Sequence, residues 1–316
     1  VAASGHVRGP TCGMSVSLNR RDMYLAYLAG ASIVQHETWP YAYWQFNREG
    51  DTRAMPVLSP YGEAMKEWYA FTQRHPERGV SYAPIALLLP ANQGYPQWGC
   101  KAWSLFPMTR ADTMIDAFFY TLVPQTQTLS AGQEGCLANS EYGDVFDVLM
   151  PNPPSGPVPL ATLANYKAAI LLGQVNADAA TVRRLMAYVK RGGTLVVNTR
   201  QLDRHWPDTF LGVHLTGQTA ETAGSVRTAD GGAAVTLAEP YEYDHVELRG
   251  AAPLWIDERD GILATLHVFG RGRVVLTTAD FLVPRKGFGD NNDDTYIKAM
   301  KTRTHPLVQL LMRQVV

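Results

Sequence analysis

From residue 83 onward, short apolar runs alternate with amphipathic patterns, and this alternation is the feature that most constrains the fold. Strands are predicted at residues 85–89, 145–150, 168–172 and 194–198, and helices at residues 111–122 and 178–191. Apolar strands that are joined through helices pair in parallel and need cover on both faces. The pattern therefore predicts an α/β fold with a doubly wound parallel sheet.

The helix at residues 178–191 is the clearest of these elements. Its apolar stripe consists of Val182, Leu185, Met186 and Val189. Asn176 is the predicted N-cap, and Gly192-Gly193 is predicted to end the helix before the next strand.

A change of pattern between residues 205 and 270 predicts a β-rich insertion. Short alternating runs with Gly, Thr and Ala fill this segment, and the chain is predicted to return to the main sheet at residues 271–278. We interpret Gly270-Arg271-Gly272-Arg273 as a hairpin turn rather than a phosphate cradle, because no helix follows it. A helix at residues 306–313 is predicted to complete the layer.

The first 78 residues predict a helix, a strand, a long loop and a second helix. Met23, Tyr24, Tyr27 and Leu28 lie at helical spacing before Gly30, and an apolar strand is expected at residues 31–34, with a further one around residues 14–17. Ser59-Pro60 is a typical helix start, and Met65, Trp68, Tyr69 and Thr72 are predicted to share one face of the helix that follows.

Residues 27–33, the pair His36-Glu37 and residues 58–64 resemble the last strand and helix of a glycoside hydrolase (β/α)8 barrel, of the family 42 β-galactosidase type. Residues 79–316 resemble the flavodoxin-like, class I glutamine-amidotransferase-like domain that follows such a barrel. The resemblance implies two domains: residues 1–78 as the C-terminal portion of a TIM-type barrel, and residues 79–316 as the second domain with its β-rich insertion at about 205–270.

This barrel would be incomplete, because one or two strands cannot close a sheet of eight. Three explanations stay open: a longer precursor supplies the other strands, another chain supplies them, or the segment packs in a noncanonical way. We favour the precursor.

The tip of the strand at residues 31–34 carries the predicted sugar site. Glu37 and His36 are expected to bind substrate, with direct chemistry or a structural hydrogen bond as alternatives for the carboxylate. Trp39, Tyr41, Tyr43 and Trp44 are expected either to stack on sugar rings or to pack over the barrel mouth. The catalytic carboxylate pair of a glycosidase cannot be assigned in this sequence.

We expect no amidotransferase activity. The turn after the strand at 168–172 reads Gly173-Gln174-Val175-Asn176 and holds no nucleophile, and Cys100 does not follow a strand. His75-Pro76-Glu77 copies a family motif but precedes the domain. The resemblance instead implies a structural domain that forms a homo-oligomer.

The composition favours an ordinary soluble globular protein. A formal net charge of -1 gives no basis for binding nucleic acid or anionic membranes. Three cysteines without CxxC spacing, and an acidic loop at residues 289–294 without the EF-hand pattern, predict no metal site, and no cofactor is expected. The compartment stays open, with export to the periplasm as one alternative.

We therefore expect part of a glycoside hydrolase acting on a β-galactoside or related glycan, with this chain supplying one wall of the sugar site and an assembly domain. The alternative is a noncatalytic carbohydrate-binding or oligomerisation module.

Overall fold

The structure is a computed structural model of the 316-residue chain. It describes residues 16–28, 30–31, 44–46, 54–79, 82–93, 101–102, 106–107, 109–122, 142, 145–151, 156–284 and 305–315. Among these, the residues up to Tyr82 form one compact unit and those from Ala83 onward form a second. No helix in the described ranges is long and apolar enough to cross a membrane.

The first unit contains two helices and a hairpin: α1 (Val16–Leu28), β1 (Trp44–Phe46), β2 (Ala54–Leu58) and α2 (Pro60–Arg74). The β1 and β2 strands pair in antiparallel fashion. The predicted helix start is confirmed, since Ser59 caps α2 by accepting a hydrogen bond from the backbone N–H of Gly62 at 3.2 Å. The strand predicted around residues 14–17 is wrong, because α1 begins at Val16. Apart from Ala31, the strand predicted at 31–34 lies outside the described residues.

The two helices of this unit pack along a narrow aromatic seam. Met23 is fully buried, and its carbonyl accepts a hydrogen bond from the Trp68 indole at 3.1 Å. The Tyr27 ring meets Trp68 and Phe71 edge-on, with centroid distances of 6.3 and 6.0 Å.

Two residues predicted for these helix faces are instead exposed. Leu28 is 53% and Tyr69 62% exposed. Each lies one residue beyond a seam residue, Tyr27 or Trp68, and one residue turns a helix by about 100°. On both helices the apolar pattern therefore predicts a buried face that extends about one residue beyond the face that is buried in the structure.

Arg78 holds the point where the chain leaves α1. Its Nη1 donates hydrogen bonds to the carbonyls of Tyr27, at 3.0 Å, and Ala31, at 2.5 Å. The guanidinium also lies 4.4 Å from the centroid of the Tyr27 ring. A cation at a helix C-terminus satisfies carbonyls that have no partner within the helix. Arg78 therefore holds the C-terminal end of α1 and Ala31, which follows it.

We predict that Arg78→Met lowers the free energy of unfolding of the first unit by about 1–2 kcal/mol, because it removes two charge-assisted hydrogen bonds and a cation–π contact but keeps the apolar stem. Urea unfolding followed by tryptophan fluorescence measures the loss. Arg74→Met, at an exposed position of α2, is the control and should change stability by less than about 0.5 kcal/mol. Equal losses in the two variants would contradict the role assigned to Arg78.

The second unit follows the predicted alternation. Its elements are β3 (Ile85–Leu88), β4 (Lys101–Ala102), β5 (Phe106–Pro107), α3 (Arg110–Leu122), β6 (Phe146–Leu149), α4 (Leu160–Leu163), β7 (Ala168–Leu171), α5 (Ala179–Lys190), β8 (Thr194–Asn198), α6 (Asp208–Leu211), β9 (Val213–Glu221), β10 (Ser225–Thr228), β11 (Ala234–Thr236), β12 (Glu242–Leu248), β13 (Ala252–Asp257), β14 (Ile262–Phe269), β15 (Gly272–Thr277) and α7 (Pro306–Val315). Single 3-10 turns at Thr199–Gln201 and Asp280–Leu282 follow β8 and β15.

A nine-stranded sheet forms the centre of this unit, in the order β11-β10-β13-β14-β15-β8-β7-β3-β6. The last five strands in this order are parallel, and the first four join by antiparallel pairing. Numbered along the chain, the five parallel strands lie in the order 2-1-3-4-5, which is the order of flavodoxin-type doubly wound sheets. The predicted parallel sheet is confirmed.

Cover on both faces of the sheet explains the apolar strands. Every residue of β3, β7 and β8 is buried. On one face Leu87, Ile170 and Val196 belong to a cluster with α3 and α7, and on the other Leu88, Leu171 and Val197 belong to a cluster with α5. Helices on both faces are what a parallel sheet requires.

The details of α5 differ from the sequence prediction in one respect. Val182, Leu185 and Val189 are buried as expected, and Gly192 ends the helix region with a φ of 119°. The N-cap, however, is Asp178, whose carboxylate accepts a hydrogen bond from the Thr181 N–H at 2.8 Å. The prediction of Asn176 is wrong, because the helix begins two residues later than that cap would require.

The predicted β-rich insertion is confirmed by strands β9 to β14, and β14 and β15 form the predicted hairpin around Gly270. Asp257 holds one corner of this insertion. It is 1% exposed, and its carboxylate accepts hydrogen bonds from the N–H groups of Ala223, Arg259 and Gly261 at 2.8–2.9 Å. A buried carboxylate is stable here because backbone donors replace its hydration.

Candidate functional site

Most of the predicted sugar site lies outside the described residues: His36, Glu37, Trp39, Tyr41 and Tyr43. Trp44 is described. It begins β1, pairs with Leu58 of β2 and is 39% exposed. A partly exposed indole on a hairpin offers an apolar plane on which a sugar ring could stack.

The carboxyl edge of the parallel sheet is the other place to look, because doubly wound sheets bind their ligands there, at the point where the strand order reverses. In this sheet that point lies between β3 and β7. The chain after β7 turns at Gly173, which has a φ of 68°. This conformation favours glycine.

A side chain of the protein reaches across this point between the two strands. The Gln93 side chain, after β3, accepts a hydrogen bond from the Gln174 N–H at 2.7 Å. A Cβ at position 173 would lie 2.3 Å from Gln93 Oε1 and 2.8 Å from Ile115 Cδ1. A side chain at position 173 would therefore have to displace Gln93 and Ile115, and the N–H of Gln174 already has an acceptor.

Two buried amides close the neighbouring part of the edge. Gln201 is 3% exposed, and its Nε2 donates to the carbonyls of Leu171 at 3.0 Å and Gly173 at 2.6 Å. Asn198, fully buried, donates to Thr277 Oγ1 at 2.9 Å and to the Ala279 carbonyl at 2.7 Å. Buried amides with satisfied donors stabilise a unique arrangement of the loops.

The N-terminus of α5 is also occupied. Asp178 caps it, and the hydrogen bond from the Thr181 backbone keeps the pKa of this carboxyl below its ordinary value. An anionic ligand would have to displace a carboxylate that already occupies this position.

An ion-pair network lies further along the same edge. Arg200 Nη2 donates to Glu242 Oε1 at 2.8 Å and lies 3.5 Å from Asp244 Oδ1. Its Nε lies 3.3 Å from Asp280 Oδ1, an ion pair without the alignment of a hydrogen bond. Arg110, at the start of α3, donates to the other oxygen of Asp280 at 3.1 Å. The network joins α3, the end of β15 and strand β12 of the β-rich insertion.

This arrangement is suited to holding loops rather than to cleaving bonds. Asp280 is shared between two arginines, and Asp244 also accepts a hydrogen bond from the Thr199 hydroxyl at 2.5 Å. Within the described ranges, no group of three or more His, Cys, Asp and Glu residues is placed to hold a metal ion. The acidic loop at 289–294 and Cys100 lie outside those ranges.

Sequence reasoning missed Gln93, Gln201 and the Arg200 network. Single polar residues in loops carry no periodicity, so the only available signal was their position directly after apolar strands. That signal does not distinguish a side chain that binds a ligand from one that fills the crevice.

Comparison with known proteins gives a likeness in fold. Neither a family model nor a curated protein sequence matches the chain. Among solved structures, the β-galactosidase from Rahnella sp. R3 matches 96% of this chain with a TM-score of 0.50 and 14% identity, over 42% of its own length. The β-galactosidase from the Antarctic haloarchaeon Halorubrum lacusprofundi matches 95% with a TM-score of 0.50 and 14% identity, over 41% of its length.

A third structure, Gan42B, is described as a GH42 β-galactosidase from G. stearothermophilus and matches 95% of the chain with a TM-score of 0.49 and 16% identity, over 40% of its length. The chain spans about two fifths of the length of these three enzymes. The first two likenesses show that the fold of this chain resembles part of the fold of these two β-galactosidases.

We predict that Gly173→Ala lowers the free energy of unfolding by about 2–3 kcal/mol, since it combines a left-handed backbone with displacement of Gln93. Gly156→Ala is the matched control, because Gly156 has a φ of 69° and a Cβ added there would meet no atom within 4 Å. Gly156→Ala should lower the free energy of unfolding by about 1–2 kcal/mol, which is the cost of a left-handed backbone at a residue with a Cβ. Chemical unfolding of both variants gives the difference, and equal losses would show that Gln93 yields without cost.

We predict that Arg200→Met lowers the free energy of unfolding by about 2–3 kcal/mol, because the partly buried carboxylates of Glu242 and Asp244 lose their cation. The neighbouring exposed residue Arg204 provides the control, and Arg204→Met should have an effect below about 0.5 kcal/mol. Thermal and urea unfolding measure both. An Arg200→Met variant as stable as the parent would mean that the network contributes nothing to stability.

Proposed function

We propose that this chain is part of a glycoside hydrolase that acts on a β-galactoside or a related glycan. In this proposal the first unit supplies one wall of the sugar site, and the second unit is an assembly domain that supports a homo-oligomer. The observation that carries the proposal is the fold likeness to two β-galactosidases over 95–96% of the chain.

The sugar wall would consist of His36, Glu37, Trp39, Tyr41, Tyr43 and Trp44. Carboxylate and imidazole groups are suited to hydrogen-bonding sugar hydroxyls, and aromatic planes to stacking on the C–H faces of the ring. The exposed indole of Trp44 supports this assignment. The acid and the nucleophile that cleave a glycosidic bond would come from the rest of the barrel, in a longer precursor or another chain.

A role for the second unit in assembly rather than chemistry is supported by its carboxyl edge. Gln93, Gln201 and Asn198 already use the donors and the space that a ligand would need there. A flavodoxin-type sheet with a filled crevice can still present its outer surface to another subunit.

The alternative is a noncatalytic carbohydrate-binding or oligomerisation module. It differs from the first proposal in one respect that can be measured, namely whether turnover occurs once the rest of the barrel is present.

The test is calorimetric titration of the purified chain with a panel of galactosides, together with hydrolysis of aryl β-galactosides. We expect Glu37→Gln to weaken galactoside binding at least tenfold, about 1.4 kcal/mol, through loss of a charged acceptor. Glu63→Gln is the matched control, because Glu63 lies on the exposed face of α2. It should change binding less than twofold.

Each outcome decides between the alternatives. Hydrolysis by the chain, alone or with a co-purifying polypeptide that native mass spectrometry detects, supports the hydrolase and rejects the module. Binding without turnover, when the co-purifying polypeptide is present, supports the module. Absence of galactoside binding would reject the sugar site altogether.

A further inference from the structure

Strand β6 is the outermost strand on one side of the nine-stranded sheet, and no other described strand pairs with its outer side. On the opposite side of the sheet the outermost strand, β11, has only three residues. The pairing of β6 with β3 runs from Phe146 to Leu149 without a register shift, so no bulge twists β6 away from a neighbour. The strand therefore offers a regular edge to which another strand can be added.

Alternate residues of β6 direct their backbone groups away from β3. The carbonyls of Val145 and Leu149 accept hydrogen bonds from the β3 side, at 3.2 and 2.9 Å. In a parallel pair the N–H and C=O of one residue point to the same side, and successive residues alternate. Phe146, Val148 and Met150 therefore direct their N–H and C=O groups outward, where none of the described residues bonds to them.

The side chains of these three residues form an apolar row on one face of the sheet. Side chains two residues apart on a strand lie on the same face. Phe146 packs edge-on against Phe119 of α3, with a centroid distance of 6.1 Å. Val148 is 44% and Met150 50% exposed. Helix α3 thus contacts the beginning of the row, and the end of the row remains in contact with water.

The charged residue of β6 does not protect its outer side. Proteins commonly block an edge strand with a charged side chain. In β6 that residue is Asp147, and its carboxylate accepts a hydrogen bond from the Tyr166 hydroxyl at 2.9 Å. Tyr166 lies shortly before β7, so this carboxylate is bound to the protein's own sheet. The outward backbone groups of the strand stay accessible.

Charge also selects one way in which two copies of β6 can pair. Two identical strands related by a two-fold axis through the sheet pair in antiparallel fashion. An axis at Asp147 would place two carboxylates directly opposite each other, which is unfavourable. An axis at Val148 places this residue opposite its own copy, Phe146 opposite Met150, and Asp147 opposite Leu149. In that register the whole apolar row meets apolar side chains.

We propose that two copies of this chain associate by pairing their β6 strands in antiparallel fashion about a two-fold axis at Val148. Val148 and Met150 are then covered by Val148 and Phe146 of the second copy, and the outward N–H and C=O groups bond to each other. The proposal names a surface for the homo-oligomer of the proposed function and rests on that function.

The second copy is the occupant that the row itself favours, because the row is apolar along its length and therefore complementary to itself. One pair of short strands buries less than the roughly 800 Å² per partner of a standard interface. The dimer should therefore be weak and should form as the protein concentration rises.

The test is sedimentation velocity of the full chain over micromolar to submillimolar concentrations. Val148→Lys places two cations opposite each other at the axis and should weaken dimerisation at least tenfold. Val268→Lys is the matched control, because Val268 is an exposed valine on β14, which has a strand on each side. It should change dimerisation less than twofold. Circular dichroism checks that both lysine variants keep the parent fold.

A second variant tests the register and does not depend on repulsion. Residues that exchange both hydrogen bonds across an antiparallel pair have Cα atoms about 5.5 Å apart, a distance that a disulfide can span. Val148→Cys, a small apolar replacement, should therefore give a disulfide-linked dimer under mild oxidation, whereas Val268→Cys should not. Both variants keep the three native cysteines, so any crosslinking through these is common to both.

Three results would overturn the proposal. A dimer that forms equally well in the parent and in Val148→Lys, or equal crosslinking of the two cysteine variants, would reject β6 as the surface. A parent that stays monomeric at every concentration would reject both this surface and the assembly role. A different polypeptide that Val148→Lys releases, from a parent that does not self-associate, would reject the second copy as the occupant.

Failure of the sugar site is recognised separately. Galactoside binding and hydrolysis depend on residues 36–44 in the proposed function and should be unchanged in Val148→Lys. Loss of the dimer with galactoside binding intact therefore concerns β6 alone. Absence of galactoside binding in a parent that dimerises concerns the sugar site alone.

Discussion

Complete burial of β3, β7 and β8 is the constraint on which the second unit depends. A strand with both faces buried contributes apolar area on each side, and the sheet is stable only if helices cover both. Helices α3 and α7 cover one face and α5 the other. Because each helix must cross back over the sheet, every connection after a parallel strand emerges at the carboxyl edge. That edge therefore collects the polar residues that the strands themselves exclude.

The chain uses those polar residues to close the edge. Gln93 bridges the reversal point, Gln201 and Asn198 satisfy neighbouring carbonyls, and Arg200 joins the β-rich insertion to the end of β15. A buried polar group is costly unless it has partners, so these residues depend on one another. The same chemistry that would bind a ligand here is used for internal contacts. This supports our proposal that the second unit has a role in assembly and that any sugar chemistry takes place elsewhere.

Elements that are fixed by local patterns could be predicted from the sequence. Helix α5 combines an apolar stripe with a Gly-Gly end, and the apolar run at 194–198 can only be a buried strand, so both were found almost to the residue. Features fixed by tertiary contact could not. Leu28 and Tyr69 fit the periodic apolar pattern of their helices, yet both are exposed. The contact between α1 and α2 is formed instead by Tyr27, Trp68 and Phe71. Gln93 is one polar residue in a loop, and nothing local shows that Gln174 is its partner.

Charged side chains have different partners at the two edges of the parallel sheet. At the carboxyl edge Arg200 and Arg110 meet Asp280, Asp244 and Glu242, so cations and carboxylates compensate each other within the protein. At the amino edge Arg271 and Arg273 are bound only by uncharged oxygens and remain exposed. A partly buried charge is costly unless it has a partner, so the pairing at the carboxyl edge is needed to keep these groups there. The exposed arginines at the amino edge keep contact with water and need no such pairing.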